Sequence, residues 1–357
     1  GVVSSADEHS EVQISCLLDL SDDELASVMH HISRLEDVLA FCSSVARLNG
    51  LRARLPRWVF AHGELNTVGC NALVLALQRP LPVRVVELGQ LAGEVEDTCS
   101  ENLWKEIGAS RTLDALTVRF NAFGCAGALT IAQMVASNQA LRSLTLEMCD
   151  IGPQGARALA HAMCESSSLN TFGLPYNKLG PDGARAIADG MGSSSSLTSL
   201  DLRANRMGHS GAEAIANGLA RCHSLQMLNM STNDLGGRGA VALAAGLRRR
   251  HRLTAVDFGF SGLDETGTLT LLAVLRGGTI VSIGLGHCGL RSVEGATAVS
   301  ECITTSHRLS KLNLRDNSFG RDAAMALIDA GAFRGALRWL QLKFNQFDGP
   351  TKAMLHL

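Results

Sequence analysis

Apolar residues recur along this chain in a fixed order. Leu169-x-x-Phe172-x-Leu174-x-x-Asn177-x-Leu179 is followed by Leu197, Leu200, Leu202, Asn205 and Met207 in the same frame, and then by Leu225, Leu228, Met230, Asn233 and Leu235. Leu113 and Leu141 begin matching stretches upstream, and Leu253, Ile280, Leu309 and Leu337 downstream. Two weaker ones begin at Leu55 and Val83, giving eleven starts, mostly 28 residues apart. Self-similarity at a fixed period of this length marks a stacked-repeat architecture. Within each repeat the alternation Leu200-x-Leu202 predicts a short strand with one buried face. The second half opens on glycine, as in Ile151-Gly152-Pro153-Gln154-Gly155-Ala156, Leu179-Gly180, Met207-Gly208 and Leu235-Gly236. Apolar residues then follow at helical spacing, as in Ala184, Ile187, Ala188 and Met191, which predicts a helix with one buried stripe.

One repeat cannot bury both its strand face and its helix stripe. Stacked repeats can, with parallel strands on one side and helices on the other. The expected fold is therefore an α/β solenoid, bent into a horseshoe because helices are wider than strands. The polar slot after each strand has its own physical reason. Asn121, Asn177, Asn205, Asn233, Asn317 and Asn345 fall where the chain turns inward, and a side-chain amide there can bond backbone groups that the turn leaves unpaired. Cys149, Ser261 and Cys288 fill the slot in other repeats, while Gly63 and Leu91 break it in the first two. Terminal repeats are expected to be atypical.

This residue order resembles the ribonuclease-inhibitor-like class of leucine-rich repeats, from about Leu55 to the C-terminus. That class includes ribonuclease inhibitor, the Ran GTPase-activating protein and the sensor arrays of innate immune receptors. What the resemblance implies is recognition of proteins by the solenoid surface.

Residues 1–15 are expected to be a flexible N-terminus and residues 16–54 a helical hairpin preceding the repeats of 55–357. Ser21-Asp22-Asp23-Glu24 and Ser33-Arg34-Leu35-Glu36 are capping boxes that open two helices. Leu25, Val28, Met29 and Ile32 share a face of the first, and Val38, Phe41, Cys42, Val45 and Leu48 line the second. The hairpin reads either as a cap over the first repeat or as an F-box. Leu20-Ser21-Asp22-Asp23-Glu24-Leu25, then Val28, Ile32 and Asp37-Val38-Leu39, resemble the F-box order, with Ser21 in place of its usual proline and Ala46 where a cysteine is common. The resemblance implies that Leu20, Leu25, Val28 and Val38 touch a Skp-family adaptor of a ubiquitin ligase.

On the concave face the position before the Asn slot carries Phe120, Met148, Tyr176, Phe260 and Phe344. Phe120, Met148 and Tyr176 are in consecutive repeats, so they are expected side by side, either exposed for binding or folded over their own turns. Asp201 and Asp257 lie between the strand hydrophobes, and Arg203 and Lys343 follow them; Trp339, Lys343 and Phe344 suggest a second patch. All ten are candidate partner-binding residues, and a solvated face carrying mixed charge is the plainer alternative.

Composition narrows the remaining chemistry. Net charge is −2, which gives no global attraction to nucleic acid or an anionic membrane, and no apolar run reaches the length of a membrane span. Ten cysteines without a CxxC pair suggest reduced thiols, hence the cytoplasm, with the nucleus as the alternative. The start at Gly1 lacks both an initiator methionine and a signal-peptide pattern, so the chain is expected to be a trimmed fragment. Its abrupt end leaves three readings: a sufficient short tail, a covering partner, or truncation.

Gly284-Leu285-Gly286-His287-Cys288-Gly289 spells G-x-G-x-x-G, but the repeat frame accounts for every residue in it. The chain lacks GKS/GKT, HExxH and GxSxG motifs, and His30-His31, Cys222-His223 and His287-Cys288 do not have metal-ligand spacing. Arg248-Arg249-Arg250-His251-Arg252 is expected to end a helix, where positive charge meets the negative end of the dipole; the alternative is a patch for nuclear import or an acidic partner. No enzymatic activity, cofactor, metal or small-molecule substrate is therefore expected. The leading expectation is a protein-interaction scaffold, in its sharper form an F-box receptor of a ubiquitin ligase. The alternatives are a regulator of the Ran GTPase-activating type, an immune-receptor sensor array and a structural subunit of a large assembly.

Overall fold

A computed structural model of the chain describes residues 57–60, 73–74, 77–78, 83–89, 97–248, 252–329 and 337–354. The hairpin expected over 16–54, with Leu20, Leu25, Val28 and Val38, lies outside the described residues. The chain divides into two compact units, one comprising residues 1–121 and 137–144, the other 122–136 and 145–357.

In the first, β1 (Arg57–Phe60), β2 (Val85–Leu88) and β3 (Ala115–Arg119) pair in parallel, with Val85 opposite both Arg57 and Ala115. Helix α1 (Asp97–Ala109) joins β2 to β3 and buries Leu103, Trp104 and Ile107. Its C-terminal carbonyls are satisfied from a distance: Asn138 Nδ2 donates to Ile107 O at 2.8 Å and Ser110 O at 3.0 Å. The Asn138 Oδ1 accepts from the N–H groups of Ala140 and Leu141, so one buried amide ties the helix end to the next strand approach.

The second unit repeats one motif. After α2 (Gly124–Ser137) and β4 (Ser143–Glu147), strand and helix alternate: α3 (Gly152–Glu165), β5 (Thr171–Gly173), α4 (Gly180–Ser193), β6 (Ser199–Asp201), α5 (Gly208–Arg221), β7 (Met227–Asn229), α6 (Gly236–Leu247) and β8 (Ala255–Asp257). Then come α7 (Glu265–Leu275), β9 (Ser282–Gly284), α8 (Val293–Thr305), β10 (Lys311–Asn313), α9 (Arg321–Asp329), β11 (Trp339–Gln341) and α10 (Gly349–Met354). Each of β1 to β11 begins two residues after one of the eleven apolar starts. Strands β5 to β11 are parallel, and their register places Phe172, Leu200, Leu228, Val256, Ile283 and Leu312 in a continuous buried row. The stretch from Leu253 to Ile280 is a residue short and the next a residue long, yet the row stays aligned. The difference falls outside the strands: α7 has 11 residues and α8 has 13, where α4 has 14, and the connecting segments make up the rest.

The Asn slot holds the turns together. Asn205 Oδ1 accepts from Asn177 N at 2.8 Å, while its Nδ2 donates to Leu174 O at 2.7 Å and Leu202 O at 3.0 Å. Asn233 does the same one repeat on, accepting from Asn205 N and donating to Leu202 O and Met230 O. Asn121, Asn177, Asn317 and Asn345 donate in the same pattern to the carbonyls of their own and the preceding turn. Ser261 performs a reduced version, accepting from Asn233 N and donating to Met230 O. The helix starts depend on the same turns. Helices α3 to α6 have no side-chain N-cap, and Gly152, Gly180, Gly208 and Gly236 instead donate to the carbonyl of the slot residue in the next repeat. Helices α7 and α8 differ, with Asp264 and Ser292 acting as side-chain caps.

The helix layer is packed across glycine. A Cβ on Gly218 of α5 would sit 2.6 Å from Ala188 O of α4, and one on Gly246 of α6 would meet Ala216 O at the same distance. Both obstacles are backbone, which cannot step aside as a side chain can.

Asn205→Ala, which orphans a buried donor and acceptor, lowers unfolding stability by at least about 2 kcal/mol. Asn345→Ala, in the half-buried last turn, costs less than half of that; urea denaturation of both variants checks the ranking. Gly218→Ala lowers the melting temperature even though alanine is the better helix former by about 1 kcal/mol, whereas Gly→Ala at an unobstructed helix site raises it.

Candidate partner-binding face

The strands of the second unit have a face turned away from the helices. Two rows of side chains stand on it. Ser199, Met227, Ala255, Ser282, Lys311 and Trp339 form the first; Asp201, Asn229, Asp257, Gly284, Asn313 and Gln341 form the second, one opposite another in register. Where the rows carry small residues, a cavity of about 370 Å³ opens over Ala255, Ser282 and Gly284. Met227, 48% exposed, stands at one side of it, and Lys311 and Trp339, the latter 47% exposed, at the other.

The second row is partly committed to backbone. Asp201, Asn229, Asp257 and Asn313 each accept, through Oδ1, the N–H of the residue two positions on, at 2.9–3.1 Å. Gln341 accepts from Lys343 N in the same way at 3.3 Å. These side chains staple the end of each strand to the turn behind it, a role that the alternation pattern alone does not reveal.

Asp201 is bridged to Arg203, whose guanidinium also reaches Glu147 at 3.6 Å and lies 6.0 Å from the centroid of the Tyr176 ring. Burial nevertheless pushes the Asp201 carboxyl above its ordinary range, against the pull of the Arg203 N–H and guanidinium. Asp257 has no ion pair among the described residues. Burial raises its carboxyl too, and the negative charge of Asp201 adds to the effect, while the Gly259 N–H and Arg203 oppose it. Gly284 leaves the room Asp257 occupies, since a Cβ there would fall on the carboxylate.

Phe120, Met148, Tyr176, Phe260 and Phe344 are not strand residues. They stand in the turn behind the strand, with His287 and Asp316, at φ between 51° and 63°. The position before the Asn slot, expected on the concave face of the strands, thus lies in the turn beyond them. The chain must pass through the left-handed region there to bring the Asn slot inward, which costs a non-glycine residue about 1–2 kcal/mol. Cross-repeat hydrogen bonds hold it in place, Met148 N to Pro175 O and Tyr176 N to Arg203 O among them. Phe120 belongs to the first compact unit and Met148 and Tyr176 to the second. All five remain exposed, Phe344 most of all at 71%. The C-terminal group is split as well: Trp339 lines the cavity, whereas Phe344 packs against Arg315 beyond the far end of the strand.

The G-x-G-x-x-G run is repeat structure. Gly284 ends β9, Leu285 is buried, and Cys288 fills the Asn slot with its thiol donating to Gly286 O. Of the basic run, Arg248 directly follows α6 and Arg252 is described, while Arg249, Arg250 and His251 lie outside the described residues. Among the described residues no cluster of His, Cys, Asp and Glu is gathered as a metal site, and no helix is long and apolar enough to cross a membrane.

A family model described as "Leucine Rich repeat" matches residues 137–160, 193–216 and 221–244. Each match runs from a helix end through the following strand into the next helix. The chain carries leucine-rich repeats. A chain from the crystal structure of the yeast Rad7 and Elc1 complex shares the fold at TM-score 0.54 and 15% identity, over 99% of this chain and 85% of that one. The leucine-rich-repeat-containing protein LegL7 from Legionella pneumophila aligns at TM-score 0.51 and 15% identity, over 80% of this chain and 89% of its own. A search of curated protein sequences gives no match. The fold is thus that of a leucine-rich-repeat solenoid, α/β with parallel strands.

In these leucine-rich repeats Asp257 is a carboxylate raised by burial with no ion pair among the described residues to offset it. A carboxyl whose pKa is higher in the folded chain than in the unfolded one binds its proton better when folded, so ionising it weakens the fold. Asp257→Asn, which keeps the acceptor for Gly259 N, therefore raises the melting temperature at pH 7. The gain shrinks as the pH falls and is gone below about pH 4, where the unfolded carboxyl is itself protonated. Thermal melts of the two proteins across that range check the sign.

Proposed function

We propose that this chain is a protein-interaction scaffold of the ribonuclease-inhibitor-like class, acting by binding and not by catalysis, with its partner held on the strand face. The observation that carries the reading is the cavity beside β6 to β11, where Met227 and Trp339 expose large apolar groups on a face whose second row is partly committed to turn staples. Large side chains of this kind at a concave, partly desolvated site are the usual anchors of protein recognition. The leucine-rich-repeat fold supports the same reading.

In its sharper form the chain is an F-box-type substrate receptor of a ubiquitin ligase. The F-box-like order of Leu20, Leu25, Val28 and Val38 supports this, as does a fold shared with a chain from a structure of two different proteins in complex, Rad7 and Elc1. The hairpin would hold a Skp-family adaptor, the repeats would select the substrate, and both events would take place in the cytoplasm.

Two comparisons test the two levels. A partner recovered by affinity purification is lost on Met227→Arg or Trp339→Arg but retained on Val241→Arg, an equally exposed site on helix α6. Retention by all three variants moves recognition off the strand face. Separately, a purified Skp-family adaptor binds the native chain and not the Leu25→Asp, Val28→Asp double variant, with the repeats still folded by circular dichroism. An adaptor that ignores the native chain removes the ubiquitin-ligase form and leaves the scaffold.

A further inference from the structure

The open side of the last repeats carries a feature separate from the cavity. The Phe260 ring stacks on the His287 imidazole with centroids 5.4 Å apart and planes inclined by 3°. Arg315 lays its guanidinium over the same Phe260 ring, 5.2 Å from its centroid, and over the Phe344 ring, 5.5 Å from its centroid. One planar cation is thereby held between two aromatic rings that come from different repeats. Gly286 makes the arrangement fit: a Cβ there would lie 3.0 Å from Arg315 Cγ and 3.4 Å from Phe260 Cε2. Asp316, the residue after Arg315, is turned to His287, with Oδ2 3.3 Å from Nδ1.

Among the earlier repeats of the second unit the equivalent position is basic at Arg203, and that arginine is paired, facing Asp201 and Glu147. Arg315 and Lys343 continue that row, and neither has a carboxylate partner among the described residues; nor do Lys311 and Arg338 beside them. Within the second unit the face therefore changes character, from the acids Glu147, Asp201 and Asp257 to cations without a carboxylate partner among the described residues, flanked by exposed aromatic surface. A guanidinium fixed against rings keeps its N–H edge free and has little rotamer freedom left to lose, which favours bidentate capture of a carboxylate.

Resting on the reading that this face takes a protein, we propose that Arg315, clamped between Phe260 and Phe344, anchors an acidic segment of the partner, with Lys343 beside it. A carboxylate meets the guanidinium edge and an adjacent apolar residue covers Phe344. A nucleic-acid strand fits less well. Aromatic and basic side chains together can bind bases and phosphates, but a phosphate chain following this face would run onto Asp257, Asp201 and Glu147, and Lys311, Arg315, Arg338 and Lys343 all belong to the last two repeats.

The test presents the whole chain with a phage-displayed random peptide library, then measures selected peptides by fluorescence anisotropy. The expected peptides carry Asp or Glu next to Phe, Leu or Ile. Arg315→Glu weakens them by at least about tenfold, Arg315→Lys and Gly286→Ala by less, and added salt weakens them progressively. Circular dichroism and melting temperature confirm that the variants are folded. Selection of peptides without acidic residues, or binding that Arg315→Glu leaves unchanged, overturns the proposal. So does a single-stranded polyuridine oligonucleotide that binds more tightly through the same residues. Partner capture lost on Met227→Arg but indifferent to Arg315→Glu sinks this inference alone. Capture indifferent to both sinks the strand-face reading beneath it as well.

Discussion

A buried polar side chain in the slot behind each strand, most often a carboxamide, carries the constraint on which the rest of the second unit depends. A parallel strand of three residues that must hand over to a helix on the other layer leaves several carbonyls and N–H groups facing inward, away from water. Asn177, Asn205 and Asn233, all fully buried, answer them with both ends of one side chain: Nδ2 closes the turn on its own carbonyls and on those of the preceding repeat, and Oδ1 receives the preceding N–H. Because each amide spans two repeats, the ladder fixes the spacing between strands as well as the shape of each turn. An unmet donor or acceptor in that setting costs about 1–3 kcal/mol, comparable to burying a further core side chain. The starts of α2 to α6 inherit the arrangement, since the N–H of their first glycine ends on the carbonyl of the slot residue in the next repeat.

The turn that the amide closes also determines what the open side can display. The residue before the slot passes through the left-handed region in every described repeat of this unit, a conformation that glycine or asparagine would take most cheaply. Met148, Tyr176, Phe260, His287 and Phe344 take it instead, and the backbone orientation there turns their side chains out beyond the strand ends. Local preference and observed residue are in conflict at these positions. Such a conflict persists where the surrounding structure overdetermines the backbone, which the cross-repeat hydrogen bonds do here, and it tends to coincide with functional surface.

The sequence is most informative where a single repeat explains a residue. The apolar frame, the strand starts and the Asn slot all follow from burial and from satisfying one turn, so they can be read from one period and checked against the next. The staples made by Asp201, Asp257 and Asn313 are less legible, because an acid or amide beside a strand hydrophobe also suits a solvated face. Contacts that join distant repeats are not legible at all. Nothing in Gly286 alone announces that it leaves room for Arg315 to reach Phe260, and nothing separates Trp339 from Phe344 until the strand places one in the cavity and the other past its far end. The left-handed turn is a similar case: the period locates Tyr176 but does not show that the strand has already ended at Gly173.

Glycine links these observations, because it sets where the open face is shallow and where it is deep. Gly284 lets Asp257 fold down onto the sheet, and with Ala255 and Ser282 it lowers the floor of the cavity. Gly286 opens the adjoining row so that a cation can cross to an aromatic ring. Both fall in the repeat of β9, Gly284 between Asp257 and Asn313 on its row, and Gly286 between Gly259 and Arg315 on the other. The strands keep a nearly constant register through this region, so the relief of the surface is written almost entirely in side-chain size. A solenoid built this way can change its partner without changing its fold: the buried frame stays fixed, and substitutions on the rows reshape the floor, the walls and the charge of what lies above them.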